Sequence, residues 1–336
     1  MDWISLFRWI YKHSMTSKPK KIPKMSQEQE EWVEAAFKSF NREDIKKMIH
    51  ILHDISPKIS NVDFEEEILE KLNIMRELLD VPDAAASFCK SSGMLEIYDH
   101  ALNPKVSNAI RTNCFSIISA CAQNNTFVQK FFSRLNINQI LLSAIDAEEK
   151  LKLRAITALS AILKGNNINN KRIFLAKGGL TDLLKMLRIK NSEQIDARLF
   201  NILQDILEHA IFLNLDITHI EFDTDPNKLK PKKEFSNFPD ILKSQMKEIQ
   251  LITAQHTHHA FRTLPDLKTQ PYRLGVLHTL KSFDQVCHQW KLEKDQKLWK
   301  DSKLTVLGMR KKIETQGECE VLAIEDDLAA EILKLK

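Results

Sequence analysis

Two stretches decide the fold: "RTNCFSIISACAQNN", residues 111–125, and its echo "RAITALSAILKGNN", residues 154–167. Each opens on an arginine, runs through apolar residues at helical spacing and closes on a polar cluster containing amides. The copies keep one interval. Arg111 and Arg154 are 43 residues apart, as are Gln123 and Asn166, Asn124 and Asn167, and Phe131 and Phe174. A third copy, "RLFNILQDILEHA", starts at Arg198, 44 residues further on. The segments between copies stay in register too. "SSGMLEIYDHAL" (91–102), "RLNINQILLSAI" (134–145) and "AKGGLTDLLKML" (176–187) place Gly93, Asn136 and Gly179 43 apart at both steps.

A period in the low forties with helical and no strand-like periodicity predicts an all-α chain. The expected architecture is an armadillo-like right-handed superhelix, an α-solenoid of about four repeats with flanking helices. One unit of this size cannot bury its own apolar face, so neighbouring units must stack. Gly or Asn at the junctions is expected to supply left-handed backbone between helices.

Outward from the repeats, the chain divides into five parts. Residues 1–24 read as a flexible N-terminal segment with an aromatic helix. Residues 25–63 read as a helical pair, its first helix capped by Ser26 with Gln29 at the capping-box position. Residues 64–210 hold the repeats, with a helix junction at Val81–Asp83. Residues 211–270 read as an insertion of loop and helix, and 271–336 as a degenerate repeat with closing helices.

Composition narrows the function classes. The chain has 336 residues, 43% of them apolar, with only 7 glycines, so it can bury a large helical core. Five cysteines form no CxxC pair and read as reduced core residues of an intracellular protein. The first residues, "MDWISLFRWIYKHS", have aromatics and Arg8 where a signal peptide needs an apolar core, and no stretch is apolar for long enough to span a membrane. The net charge of +4, with both signs interleaved, does not predict nucleic-acid binding. The basic, proline-bearing runs at 18–24 and 228–233 read as solvated linkers; a cytoplasmic location is expected, and a nuclear address is compatible with these runs.

No phosphate cradle is present: the one adjacent glycine pair, Gly178–Gly179, fits a helix junction. The only metal-like cluster is "QHTHH" (255–259). His256 and His259 would share a helix face and His258 would not. Without a nearby Cys or acidic ligand these read as surface histidines, and no metal or other cofactor is expected. Arg111, Arg154 and Arg198 have two readings. They either bond to neighbouring repeats or grip a partner with their planar forks, and Arg154, in mid-array, leans to the first.

The residues resemble a known family, the armadillo-type nucleotide-exchange factors of 70-kDa heat-shock (DnaK-type) chaperones, the cytosolic Fes-type and heat-shock-binding-protein group. "LFRWIYKHS" with "MSQEQEEWVEAAFKSFNREDIKKM" is similar to the family's opening segment. "DAAASFCKSSGM", "SACAQNNTFVQKF" and "LRAITALSAIL" are similar to its first three repeat signatures. The chain departs from the family at Asn136, where Gly is usual, and in residues 211–270.

The resemblance implies a non-enzymatic co-chaperone, expected to be monomeric, that grips one lobe of the chaperone's ATPase domain, loosens the other and releases ADP. Its implied partner-binding residues are Asp83, Ala85, Arg111, Gln123, Asn124, Arg154 and Arg198. It also implies that residues 1–17 enter the chaperone's substrate groove as a client mimic, through Trp3, Phe7, Trp9 and Ile10. Packing of that segment on the array, or on a membrane surface, are its other readings. An armadillo-type scaffold without exchange activity and a metal-dependent enzyme at the histidine cluster remain open as alternatives.

Overall fold

A run of helices makes up the computed structural model, which describes residues 43–165, 168–213, 238–261 and 270–316, with no strand among them. The chain divides into two units at Lys47 and Met48. Of the first, only residues 43–47 are described, as the start of a helix. That helix, α1, runs through residues 43–55 and buries Met48, Ile51, Leu52 and Ile55, one stripe at helical spacing. Helix α2, Glu65–Leu78, buries Ile68, Leu72 and Met75 in the same manner.

Three successive units follow, each of two short helices and a long one. The first holds α3 (Pro82–Lys90), α4 (Gly93–Leu102) and α5 (Asn108–Ala122). The second holds α6 (Thr126–Phe132), α7 (Asn138–Ala144) and α8 (Glu149–Leu163). The third holds α9 (Ile168–Ala176), α10 (Gly179–Arg188) and α11 (Glu193–Leu213). Local chemistry sets the boundaries. Val81 is extended before Pro82, because a residue preceding proline avoids helical backbone, so the expected junction falls just before α3. The Ser107 and Asn125 side chains accept from the backbone N–H of Ile110 and Val128 and cap α5 and α6.

Each helix packs on its counterpart one unit along. The long helices α2, α5, α8 and α11 contact one another in that order, as do the short helices α3, α6 and α9, and α4, α7 and α10. Their apolar faces close a continuous core in which Phe88, Phe115, Phe132, Phe174 and Phe200 are fully buried. Burial of one such side chain stabilises by about 1.5–3 kcal/mol.

Side-chain amides join the units at their helix ends, where the last carbonyls lack partners within the helix. Asn125 Nδ2 donates to Pro82 O at 3.1 Å. Gln129 Nε2 donates to Ala122 O at 3.1 Å and to Ala161 O at 2.9 Å. Asn170 Nδ2 donates to Gln129 O and to Ile162 O, and Asn138 Nδ2 to Lys177 O at 2.7 Å.

The junctions differ from expectation in one respect. Before α4 and α10 the left-handed residues are Ser92 (φ 65°) and Gly178 (φ 83°), each one position before the expected glycine, and Asn136 before α7 does not adopt that backbone; Asn124 (φ 58°) and Gly165 (φ 86°) do so between successive units. After α11 come α12 (Phe238–Ala260), α13 (Gln270–Gln289) and α14 (Gln296–Gln316). The segment expected to be an insertion thus ends in a helix that belongs to the core: α12 buries Leu242, Met246, Ile249 and Ile252 and packs on α9, α10, α13 and α14. Helix α13 lies along α11, where a fourth long helix would stand.

Candidate functional site

The arginines that share one register have different environments. Arg111, at the start of α5, is 8% exposed. Its Nε donates to Ala101 O at 3.0 Å, and its Nη atoms lie 3.4 Å from Asn108 Oδ1 and 3.5 Å from Ser143 O. It joins α5 to α4 and α7. Arg154 and Arg198, near the starts of α8 and α11, are exposed. The expectation that Arg154 would be the structural member is therefore corrected: that role belongs to Arg111, which alone of the three reaches neighbouring carbonyls.

Ala85 is corrected as well. It is 1% exposed, beside Ala84 and Phe88 on the inner face of α3, and offers nothing to a partner. Asp83, two residues before it, is exposed. Gln123 and Asn124, between α5 and α6, are also exposed, and Asn124 has a φ of 58°. The bond from Asn125 to Pro82 O brings Asp83, Gln123 and Asn124 to one edge. Trp3, Phe7, Trp9 and Ile10 lie outside the described residues.

Near Arg111 an open groove of about 490 Å³ runs between the ends of α5 and α8, lined by Leu102, Asn108, Gln139, Ser143, Asp146 and Glu148 among others. Arg111 forms its inner wall, and the two acids stand at the α8 side. No convergent set of nucleophile, base and oxyanion donors accompanies it.

The histidine cluster differs from the surface reading. His256 is half-buried: Nε2 lies 2.9 Å from Leu187 O, Nδ1 lies 2.6 Å from the Tyr272 hydroxyl, and the ring stands edge-on to Phe200. One consistent assignment has Nε2–H donating to the carbonyl and Nδ1 accepting from Tyr272. Burial holds His256 below the ordinary histidine range and pushes the nearby Asp196 carboxyl up to about 6. Asp196 Oδ2 is 3.8 Å from His256 Nδ1, an acidic neighbour 60 residues away that spacing could not show. His258 and His259 are exposed. Among the described residues no group of three or more His, Cys, Asp or Glu side chains is placed to hold a metal ion.

Cys89, Cys114, Cys121 and Cys287 are free and buried, and burial pushes the Cys89, Cys114 and Cys287 thiols up to about 12. Thiols so far from ionising at neutral pH are poor nucleophiles. Among the described residues no helix is long and apolar enough to cross a membrane.

Sequence reasoning missed Lys171, the most buried cation among the described residues. Its side chain is 1% exposed, and Nζ sits 3.0 Å from Gly165 O, 2.6 Å from His209 Nδ1 and 2.7 Å from Asp205 Oδ2. It lies in the polar run Asn169-Asn170-Lys171-Arg172, so nothing in the local pattern marks it as buried. No family model and no curated protein matches the chain.

Proposed function

We propose that the chain is an armadillo-like co-chaperone that binds the ATPase domain of a cytosolic 70-kDa heat-shock chaperone and promotes ADP release. The observation that carries this reading is where the family-like blocks fall. "DAAASFCKSSGM" covers α3 and the start of α4, "SACAQNNTFVQKF" the end of α5 and most of α6, and "LRAITALSAIL" most of α8. They occupy consecutive units whose helices stack counterpart on counterpart. That stacking supports a solenoid of about four repeats, with α12 and α13 as the atypical last one.

The exposed edge at Asp83, Gln123 and Asn124, together with exposed Arg154 and Arg198, supplies the contacts in this reading. The mechanism is differential binding. A protein that binds the nucleotide-free chaperone more tightly than its ADP form weakens ADP binding by the same factor, and added nucleotide expels it in return. No nucleotide site of its own is required.

The test is release of a fluorescent ADP analogue from cytosolic 70-kDa chaperones, followed by stopped flow with this protein in molar excess. Faster release is the expected result, and traces unchanged across several such chaperones would overturn the reading. Stable capture of the chaperone with unchanged traces would instead favour a scaffold.

A further inference from the structure

No aspartate or glutamate occurs between Asp99 and Asp146, or between Glu149 and Asp182. These two spans carry eleven lysines and arginines, although the whole chain is only +4. The remainder of the chain is therefore net acidic, and the positive charge is concentrated in the middle of the molecule, from α5 to α9.

Folding gathers part of this charge on one face. The short helices α3, α6 and α9 contact one another in order. On α6, Thr126, Phe127 and Lys130 are exposed on one stripe, while Val128, Gln129 and Phe132 are buried on the other. Lys90, at the end of α3, lies over the Phe127 ring at 5.2 Å, which places it beside that stripe. At the other side Lys177, just after α9, reaches Leu135 O at 3.3 Å. Arg134 follows α6 and Lys164 precedes α9, both exposed. None of Lys90, Lys130, Arg134, Lys164 or Lys177 forms an ion pair among the described residues. Arg172 on α9 is half-buried, and its Nε has no hydrogen-bond acceptor. By contrast, the buried Lys171 of α9 is paired with Asp205 on α11.

We infer that the outer face of α3, α6 and α9 docks an acidic polypeptide segment. Several unpaired cations of like sign repel one another, and an anionic partner relieves that repulsion while gaining attraction to each of them. Their spread over three successive units fits an extended ligand. A polypeptide is favoured over a nucleic acid for two reasons. Binding of single strands relies on aromatic platforms for the bases, and here Phe127, the exposed aromatic of the face, has the Lys90 ammonium over its ring where a base would stack. Asp83, at the far end of α3, would repel a phosphate backbone but can pair with a basic side chain in a mixed peptide. This inference is independent of the exchange reading.

The test uses the full chain and a fluorescein-labelled poly-glutamate peptide, read by fluorescence anisotropy at low and moderate salt. A labelled oligothymidylate of equal charge forms a second arm. Lys130→Glu with Arg134→Glu should weaken peptide binding about tenfold or more. Lys297→Glu with Lys300→Glu, an equal charge change on exposed residues of α14, should leave it within about twofold. Lys130→Gln with Arg134→Gln should give an intermediate loss, and melting temperatures should be unchanged in all three. Equal loss in both Glu variants would reduce the binding to net charge and overturn the inference. So would an oligothymidylate bound more tightly than the peptide through the same two residues.

Discussion

Gly179 lies so close beneath the Phe174 ring that a Cβ built on it would come within 2.4 Å of Phe174 Cε2. The same pair stands two units earlier, where a Cβ built on Gly93 would run into the Phe88 ring. Neither glycine has a positive φ, so the ring, not the backbone, requires them. In the middle unit the equivalent positions are Phe131 and Asn136. There Asn136 carries a Cβ, Phe131 is half-exposed, and Phe132 fills the core edge-on to Tyr98. Gly93→Ala and Gly179→Ala should therefore each destabilise by about 1–3 kcal/mol, the usual cost of overpacking. Urea unfolding measures this, and an unchanged midpoint in both variants would show that the rings have room to move.

Lys171 offers its ammonium to three acceptors, Gly165 O, His209 Nδ1 and Asp205 Oδ2. Burial lowers its pKa, and Asp205 acts against that shift. The two ends of this pair are not equivalent. Removing Asp205 leaves a buried ammonium without its counter-charge, whereas removing Lys171 leaves a carboxylate that is 26% exposed and can be hydrated. Asp205→Asn should cost about 3 kcal/mol, and Lys171→Met distinctly less. Chemical denaturation of both variants checks the order, and the reverse order would refute this account.

The pH dependence has contributions of both signs. His100, His209 and His256 are held below the ordinary histidine range, chiefly by burial, so between 6.5 and their folded values the unfolded chain binds more protons. Stability from these groups is present above 6.5 and is lost as pH falls. Asp196 acts oppositely. Its carboxyl is pushed from 3.8 up to about 6, so the folded chain binds the extra proton and stability is gained as pH falls through 6. Asp196→Asn should raise stability at pH about 7.5 by roughly 1–3 kcal/mol, since it removes a buried charge. It should also steepen the loss between pH about 7 and 5, because the opposing gain is gone. Melting temperature against pH for the two proteins decides it; parallel curves would refute the role given to Asp196.

The repeat was legible in the sequence because packing imposes it. Counterpart helices meet every unit, so the apolar stripe and the aromatics recur with them, as Phe88, Phe131 and Phe174 do. The end of α2 before Pro82 was legible from proline's local constraint. The fate of each arginine was not. Arg111 finds the Ala101 and Ser143 carbonyls within reach, and nothing in the 43-residue spacing says that Arg154 and Arg198 will not find equivalents. His256 is decided by Leu187 and Tyr272, 69 and 16 residues away, which no local pattern reveals. The basic middle of the chain was hidden by averaging: charges that look interleaved over the whole chain leave two acid-free spans.

The last prediction separates fold from binding. Ala85 resembles the family's partner contact, but at 1% exposure it packs with Ala84 and Phe88 inside the first unit. Ala85→Arg would place a long charged side chain in that core, where burial of an unpaired charge costs several kcal/mol, about half the stability of an ordinary domain. The variant should unfold or melt far lower, and its loss of any activity would carry no information about a partner. Arg154 and Arg198 are exposed on packed neighbours α8 and α11, one unit apart. Arg154→Glu with Arg198→Glu should leave the melting temperature within a few degrees of the parent, as surface changes cost only about 0.5 kcal/mol. If the exchange reading holds, the double variant should slow ADP release by about tenfold or more, because a reversed charge repels what the arginine attracted. A second pair, Asp83→Lys with Gln123→Ala, probes the opposite edge in the same assay. Full exchange activity in both folded double variants would remove both surfaces from the contact, and activity lost only in the second pair would place the grip at the α3 and α6 edge.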